Sequence, residues 1–280
     1  MWSDVPMVHL RDSLRQVAVR VATEAAELVE TTRRSAVRHV ETKSSATDPV
    51  TAGDRAAERL IRERLARLRP GDPVLGEEEG ADGADGADGA VRWVVDPIDG
   101  TVNYLYGLPW YSVSVAAQVD GVTVAGAVVE PASGRVWSAA RGAGATLDDA
   151  PLRVSAAREL ALTLVATGFA YRQERRAQQT EVLARLLTRV RDIRRTGSAA
   201  LDLCLVGAGW VDAYFEVGLS PWDWAAGSLI AEEAGAVVHL PGTGDLGNAV
   251  FASAPGVADP LKRLLRDAGL RNVTCDPDPR

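Results

Sequence analysis

The sequence has few cysteines, since only Cys204 and Cys275 occur among its 280 residues. Two cysteines cannot form a disulfide framework or a four-cysteine zinc site. The chain also lacks an apolar run long enough to cross a bilayer, and its first ten residues lack the apolar core of a signal peptide. We therefore expect a cytoplasmic protein with no membrane association.

Lysine is scarce as well, because Lys43 and Lys262 are the only lysines among 31 basic residues. The 38 acidic residues outnumber the basic ones and give a net charge of −7. Phosphate backbones attract basic surfaces, so an acidic protein is a poor default partner for nucleic acid. The charge balance therefore argues against nucleic-acid binding as the main function.

Apolar and charged residues are present in ordinary amounts, 46% and 25% of the chain, which is typical of a globular protein. Apolar residues that recur every three or four positions predict a helix over 10–34 and another that begins after Thr51 or at Asp54 and runs through Leu68. The segment between these helices has no periodicity. Strands are predicted in the valine-rich stretches 91–95, 111–119, 122–130 and 135–140.

The second half of the chain alternates between strand and helix patterns. Predicted strands cover 162–167, 192–196, 211–217 and the pair within 236–253, and predicted helices cover 173–191, 197 onward, 221–234 and 256–268. This arrangement favours a layered α/β or α+β architecture with two sub-domains, which we place at 1–150 and 151–280.

Residues 93–103 carry the clearest chemical pattern. An apolar strand is predicted to end at Asp96, before a proline, and Asp99 follows three residues later. Gly100 permits a tight turn and Thr101 can begin a helix. Such a unit would bring two carboxylates together with backbone N–H groups, which suits a divalent cation and a phosphate. Alternatively, the two aspartates are only turn formers.

Two further acidic positions have a similar setting. Glu77 follows the short apolar segment 74–76, and Asp223 lies at the start of a predicted helix. A solvated charge run is the simpler interpretation of 77–79, and a carboxylate that complements the helix dipole is the simpler interpretation of Asp223.

The order of these segments resembles the inositol monophosphatase family of metal-dependent, lithium-sensitive phosphatases, in particular its bacterial and actinobacterial members. The resemblance extends from about residue 43 to 238. Each segment alone is a weak signal, but the combination is specific. The segments are 76–78, 93–101, 197–202, 210–216, 222–226 and 233–235.

The resemblance implies a five-layer α/β/α/β/α sandwich of two sub-domains, with the metal site between them. It implies a homodimer and two or three Mg²⁺ ions per site. The implied reaction is the Mg²⁺-dependent hydrolysis of inositol 1-phosphate to inositol and phosphate, by direct attack of water and without a phosphoenzyme.

The resemblance also assigns roles to individual residues. Glu77 would orient the attacking water, and Asp54 would pair with the hydroxyl of Thr101. Lys43 would belong to a mobile loop near the site. The implied metal ligands are Glu77, Asp96, the backbone carbonyl of Ile98, Asp99 and Asp223. The implied substrate contacts are Asp99, Gly100, Thr101, Ala199, Glu216 and Asp223.

Two alternatives remain open at the level of sequence. Other members of the family act on 3′-phosphoadenosine 5′-phosphate, histidinol phosphate or fructose-1,6-bisphosphate, and the shared metal ligands do not separate these substrates. Glu216 favours a polyol, because a carboxylate can accept hydrogen bonds from two hydroxyls. The second alternative is a regulatory protein that binds RNA or RNA polymerase through the arginines of 172–195, which we otherwise interpret as a solvated helix face.

Overall fold

The fold is known from a computed structural model, which describes residues 4–36, 40–42, 49–82, 89–270 and 273. Within these residues the helices are α1 Asp4–Ala36, α2 Ala52–Leu68, α3 Thr101–Tyr106, α4 Gln173–Leu187, α5 Ala199–Gly207, α6 Pro221–Glu233 and α7 Pro255–Asp267. A short 3₁₀ turn covers Leu160–Leu162.

The strands of the first half are β1 Val40–Thr42, β2 Pro49–Thr51, β3 Val74–Gly76, β4 Gly80–Ala81, β5 Val91–Asp99, β6 Ser112–Val119, β7 Val122–Val129, β8 Val136–Ala140, β9 Ala145–Leu147 and β10 Ala150–Pro151. Those of the second half are β11 Leu164–Thr167, β12 Asp192–Arg194, β13 Ala213–Val217, β14 Val237–His239 and β15 Ala249–Ser253. They form an eight-stranded sheet in the order β10-β9-β8-β7-β6-β5-β3-β4, a five-stranded sheet in the order β12-β11-β13-β15-β14, and the pair β1-β2.

Helices and sheets alternate in five layers. Helices α1 and α2 pack on one face of the eight-stranded sheet, and α5 and α6 fill the space between the two sheets. Helices α4 and α7 cover the outer face of the five-stranded sheet. The described part of the chain therefore has the α/β/α/β/α architecture that the resemblance implies.

Helix α1 illustrates how the sequence pattern produces the layers. Leu14, Ala18, Val21, Ala25 and Val29 are all fully buried, at spacings of three and four residues that place them on one face of the helix. This face packs against β6 and β7, and burying each valine or leucine contributes roughly 1.5–3 kcal/mol. The small alanines let α1 approach the sheet closely.

Most predicted helices and strands are confirmed within a few residues, and three expectations need correction. The predicted helix over 173–191 ends at Leu187, where Thr188 begins the exit toward β12. The aperiodic segment after α1 contains the antiparallel pair β1-β2, whose strands of three residues each are too short to show a period. The structure also contains β4, a two-residue strand that pairs with β3 and is too short to leave a sequence pattern.

The third correction concerns β5, which continues past Asp96 to Asp99. The pairing with β6 shifts its register between Asp96, which lies opposite Ser114, and Asp99, which lies opposite Ser112. Pro97 lies within this irregularity, where the missing N–H of proline removes no regular ladder bond. The irregularity extends the strand and places both aspartates at the same end of β5.

The strands of the two sheets divide along the chain, because β3–β10 belong to one sheet and β11–β15 to the other. The sub-domain boundary between residues 150 and 151 stays a prediction, and β10 contains both of these residues. Among the described helices, none combines the length and the apolar character that a membrane crossing requires.

Candidate active site

Glu77 and Asp96 are neighbours because β3 and β5 run parallel. Gly76, the last residue of β3, pairs with Val95 in the middle of β5. Parallel strands end on the same edge of a sheet, so the residues that follow this pair, Glu77 and Asp96, lie side by side. The negative charge of Glu77 raises the pKa of Asp96, as expected for neighbouring carboxyl groups. Asp96 also accepts the backbone N–H of Ile98 at 3.0 Å, which fixes its side chain in the irregular part of β5.

Asp99 joins β5 to the beginning of α5. The hydroxyl of Ser198 donates to Asp99 Oδ2 at 2.6 Å, and the backbone N–H of Ala200 donates to the same oxygen at 2.8 Å. The backbone N–H of Ala199 is 3.3 Å from Oδ1. Burial raises the pKa of Asp99 to about 6, even though these three donors favour its charged form. The side chain is therefore fixed between the two sheets.

Asp223 comes to the same place from the first turn of α6. Its Oδ2 accepts the backbone N–H of Ser220 at 2.5 Å, as in a capping box. The hydroxyl of Ser114 on β6 donates to the carbonyl of Trp222 at 3.3 Å, which ties the start of α6 to the strand beside β5. Asp223 is therefore a helix-capping carboxylate that also faces the sheet.

Asp96, Asp99 and Asp223 form one acidic cluster, in which one carboxylate oxygen from each lies within 4.8 Å of the other two. Burial raises the pKa of Asp96 and of Asp223 well above the ordinary value, and the charge of Glu77 raises both further. Buried carboxylates that repel one another are stable as anions only beside a cation. Carboxylate oxygens are the ligands that hard divalent cations prefer, so this cluster fits a metal ion.

Thr101 begins α3 directly beside the cluster. Its hydroxyl oxygen lies 3.2 Å from Asp54 Oδ1 and 3.1 Å from the carbonyl oxygen of Ile98. Asp54 is fully buried in the first turn of α2. Because its side chain is fixed there, this contact holds the Thr101 hydroxyl in one orientation. Gly100 precedes Thr101 with φ 97°, a left-handed conformation that glycine adopts without strain. An added Cβ at this position would lie 3.0 Å from the carbonyl of Trp110.

Glu216 reaches toward the same region from β13 in the other sheet. The hydroxyl of Tyr214 donates to Glu216 Oε2 at 2.8 Å. Burial raises the pKa of Glu216 to about 7, and the negative charge of Asp99 acts in the same direction, while Tyr214 and Arg195 act against it. The effect of Asp99 indicates that the carboxyl groups of Glu216 and Asp99 lie within electrostatic range of each other.

The residues predicted from the sequence are thus brought to one region, apart from Lys43. The residues that lie beside Asp96, Asp99 or Asp223, or in contact with a neighbour of these, are Asp54, Glu77, Ile98, Gly100, Thr101 and Ala199. Glu216 lies within electrostatic range of Asp99. Lys43 lies outside the described residues. The catalytic and binding roles of these positions remain predictions.

Sequence reasoning missed three polar residues of this region. Ser198 orients Asp99, and Asn103 donates from Nδ2 to the carbonyls of Trp110 at 2.6 Å and Thr196 at 2.8 Å. Asp202 is buried and accepts the hydroxyl of Thr196 at 2.8 Å. A serine just before a helix is a known capping signal, whereas nothing in the sequence marks the partners of Asn103 and Asp202.

Comparison with known proteins agrees with this geometry. The model of the inositol monophosphatase family matches residues 10–269. The chain belongs to the inositol monophosphatase family. Inositol-1-monophosphatase of Mycobacterium leprae is 55% identical over 273 residues, which cover 91% of this chain and 94% of that protein. The Nus factor SuhB of Vibrio cholerae is 38% identical and covers 89% of this chain and 94% of its own length.

A solved structure supports the fold. Mycobacterium tuberculosis SuhB superposes with a TM-score of 0.80 at 48% sequence identity, covering 92% of this chain and 97% of its own. The protein is therefore a phosphatase of the inositol monophosphatase family, and this family is metal-dependent. Its acidic cluster lies where two layers of the family fold meet.

Proposed function

We propose that the protein is a Mg²⁺-dependent phosphomonoesterase that hydrolyses inositol 1-phosphate to inositol and phosphate. The observation that carries this proposal is the convergence of three carboxylates, from β5 and α6, within 4.8 Å. The relatives named inositol-1-monophosphatase, which are 51–55% identical, support the choice of substrate.

Five residues would hold the metal ions. They are Glu77, Asp96, Ile98 through its carbonyl oxygen, Asp99 and Asp223. We expect two or three ions per site, as the family resemblance implies. Mg²⁺ bound there would supply positive charge that stabilises the phosphate oxygens and lowers the pKa of a water molecule. The carbonyl of Ile98 keeps a second lone pair beside the one that faces Thr101.

The residues around the cluster would position and activate the attacking water. We assign Glu77 to orient the water and accept its proton, with the hydroxyl of Thr101, held by Asp54, as a second contact. The water oxygen forms a bond to phosphorus while the bond from phosphorus to the inositol oxygen breaks. The departing inositol oxygen takes a proton from solvent. The products are inositol and inorganic phosphate.

Residues from both halves of the chain would recognise the substrate. Backbone N–H groups of Gly100 and Thr101 would bind phosphate oxygens. The inositol hydroxyls would contact Glu216, Ala199 and the carboxylates of Asp99 and Asp223. Glu216 keeps free lone pairs beside the hydrogen bond from Tyr214, so it can accept from hydroxyl groups. We assign Lys43 to a loop near the site.

Phosphate release from a panel of substrates tests the proposal. The panel contains inositol 1-phosphate, 3′-phosphoadenosine 5′-phosphate, histidinol phosphate and fructose-1,6-bisphosphate, each with Mg²⁺, with EDTA and with added lithium. We expect inositol 1-phosphate to give the highest kcat/KM, only with Mg²⁺ and with inhibition by lithium. A higher kcat/KM for another member would replace the substrate, and activity in EDTA would contradict the metal-dependent mechanism.

An RNA-binding or polymerase-associated role is the competing proposal, because relatives at 38–42% identity are named Nus factor SuhB. We favour catalysis for this chain, because the net charge is −7 and the acidic cluster is complete. RNA binding at physiological salt, with no turnover of the substrate panel, would reverse this preference.

We also propose a cytoplasmic homodimer. The side chains of Tyr106, Leu108 and Trp110 are 83%, 44% and 50% exposed, which leaves an apolar surface on one segment. Analytical ultracentrifugation tests the homodimer, since a monomer at micromolar concentration would contradict it.

A further inference from the structure

Glu58 of α2 is a buried carboxylate that the proposed mechanism does not use. The residue is 0% exposed. Its Oε2 accepts the backbone N–H of Glu78 at 2.7 Å, and its Oε1 accepts the backbone N–H of Glu79 at 3.0 Å. Both N–H groups belong to the turn that follows β3. Glu58 therefore binds the backbone of this turn in the way that a capping side chain binds the start of a helix.

Arg62, one helical turn later, completes the contact. Its Nε and Nη2 lie 2.9 Å and 2.8 Å from Glu58 Oε1, and Nη2 also donates to the carbonyl of Gly80 at 2.6 Å. The guanidinium neutralises Glu58 and binds the far end of the same turn. Helix α2 thus holds the segment 78–80 through two N–H groups and one carbonyl.

Gly76 gives independent evidence that this contact is close. A Cβ at position 76 would lie 2.2 Å from Glu58 Oε1 and 2.5 Å from the carboxyl carbon. Real Cβ atoms do not approach other atoms so closely, so any larger residue would push the carboxylate away from the turn. The last residue of β3 is small where Glu58 needs the space.

The turn held by Glu58 and Arg62 carries Glu77. Glu77 follows the pair Gly76–Val95 and so lies beside Asp96, and it comes between Gly76 and the two N–H groups that Glu58 binds. A displacement of the turn would therefore move Glu77 relative to the acidic cluster. Neither Glu58 nor Arg62 is assigned to metal, water or substrate.

We propose that Glu58, together with Arg62, is a positioning residue that holds Glu77 beside Asp96, at the edge of the acidic cluster, and thereby sets the affinity of the site for its metal ion. This inference rests on the proposed function, because it assumes that Mg²⁺ binds there. Groups behind a metal ligand typically change metal affinity by about 10–100-fold when they are replaced.

The test compares Mg²⁺ binding, measured by titration calorimetry, in the wild type and in Glu58→Gln. The amide has the size of the carboxylate, but it removes the buried charge that Arg62 pairs with and presents N–H groups to backbone donors, while Glu79 and Asp82 still pair with Arg62. We expect Kd for Mg²⁺ to rise by roughly 10-fold or more. The amide hydrogens of Glu78 and Glu79 should exchange faster in the metal-free variant, while kcat at saturating Mg²⁺ stays within about threefold.

A second variant and a control separate positioning from general loss of stability. Gly76→Ala leaves Glu58 and Arg62 unchanged, and we expect the same rise in Kd because the added methyl group displaces the carboxylate. Arg64→Gln is the control, since Arg64 on the same helix pairs with Glu24 of α1 and not with the turn. The control should lower the melting temperature without changing Kd for Mg²⁺.

Three outcomes would overturn the inference. The first is a wild-type Kd in both Glu58→Gln and Gly76→Ala. The second is an equal rise in Kd in Arg64→Gln, which would make the effect one of stability. In the third, the wild type itself neither binds Mg²⁺ nor hydrolyses the substrate panel, and the proposed function then fails with the inference. The wild-type measurement therefore distinguishes the two failures.

Discussion

The charge of the single residue Asp96 has opposite effects on the stability of the fold and on metal binding. Burial raises its pKa, and the charges of Glu77, Asp99 and Asp223 raise it further, so without a cation its charged form is unfavourable. The backbone N–H of Ile98 needs only an acceptor at this position, which an amide oxygen also supplies. The negative charge of Asp96 is thus costly for the fold and useful for a metal site.

We therefore expect Asp96→Asn to lower kcat/KM for inositol 1-phosphate by at least about 10³-fold, equal to about 4 kcal/mol of transition-state stabilisation. The melting temperature in EDTA should stay the same or rise, because one repelling charge is removed. Phosphate-release kinetics and thermal melts measure both effects. Glu63→Gln, on an exposed part of α2, is the matched control. Activity of Asp96→Asn within tenfold of the wild type would contradict the assignment.

Glu216 and Gly168 supply a test of substrate recognition. A Cβ at position 168 would lie 1.9 Å from Glu216 Oε2, so Gly168→Ala should turn this carboxylate away from the substrate. We expect Gly168→Ala and Glu216→Gln each to raise KM for inositol 1-phosphate about 10-fold, equal to about 1.4 kcal/mol, and to change KM for an aryl phosphate much less. Equal effects on both substrates would show that Glu216 is structural.

At the scale of the element, the first turn of α5 connects secondary structure to the site. Ser198 caps this helix by accepting the N–H of Leu201 at 3.4 Å, and it also donates to Asp99. We expect Ser198→Ala to lower the free energy of unfolding by about 1–2 kcal/mol, because a cap and a buried hydrogen bond are both lost.

Urea denaturation in EDTA checks this prediction for α5. Ser228→Ala is the control, because among the described residues the Ser228 hydroxyl donates only to the Ala225 carbonyl within α6, at 3.2 Å. We expect a change below about 0.5 kcal/mol for the control. An equal decrease in the free energy of unfolding in the two variants would show that the α5 cap contributes no more than an ordinary serine hydroxyl.

The elements differ in how far the sequence predicts them. A long helix with a clear period, such as α1, follows from apolar spacing, and a long buried strand, such as β7, follows from its run of valines and alanines. The extension of β5 through Pro97 does not, because it depends on pairing with β6 around an irregularity. The pair β1-β2 is also beyond local signals, since three-residue strands show no period and depend on each other.

The same distinction holds for the candidate site. Asp96, Asp99 and Asp223 stand in recognisable motifs, so the sequence predicts them as ligands. Glu58 does not, because its importance comes from a contact with the backbone 20 residues away along the chain. Side chains that bind the metal leave a sequence pattern, whereas the residues that hold those side chains in place leave almost none.

At the scale of the whole molecule, the acidic cluster should make stability depend on pH and on metal. A carboxyl whose pKa is higher in the folded than in the unfolded protein binds extra protons when folded. The pKa of Asp99 is raised to about 6 and those of Asp96 and Asp223 are also raised, while an unfolded aspartate has a pKa of about 3.9. The metal-free protein should therefore lose stability as the pH rises from about 4 through 6 and beyond.

Mg²⁺ would replace these protons, so the loss should disappear in its presence. We expect the difference in melting temperature between Mg²⁺ and EDTA to widen from pH 5 to pH 8, and to widen less in Asp96→Asn. Thermal melts in matched buffers measure this difference. A gap that stays constant or narrows as the pH rises would be inconsistent with a metal-binding carboxylate cluster.

The most direct test of the proposed metal centre is the anomalous diffraction of Mn²⁺ in crystals of active protein. Mn²⁺ takes the same oxygen ligands as Mg²⁺. We predict anomalous density in contact with the carboxylates of Asp96, Asp99 and Asp223, next to Glu77. Ordered Mn²⁺ elsewhere, with no density at these three carboxylates in protein that hydrolyses inositol 1-phosphate with the same ion, would contradict the proposed metal centre.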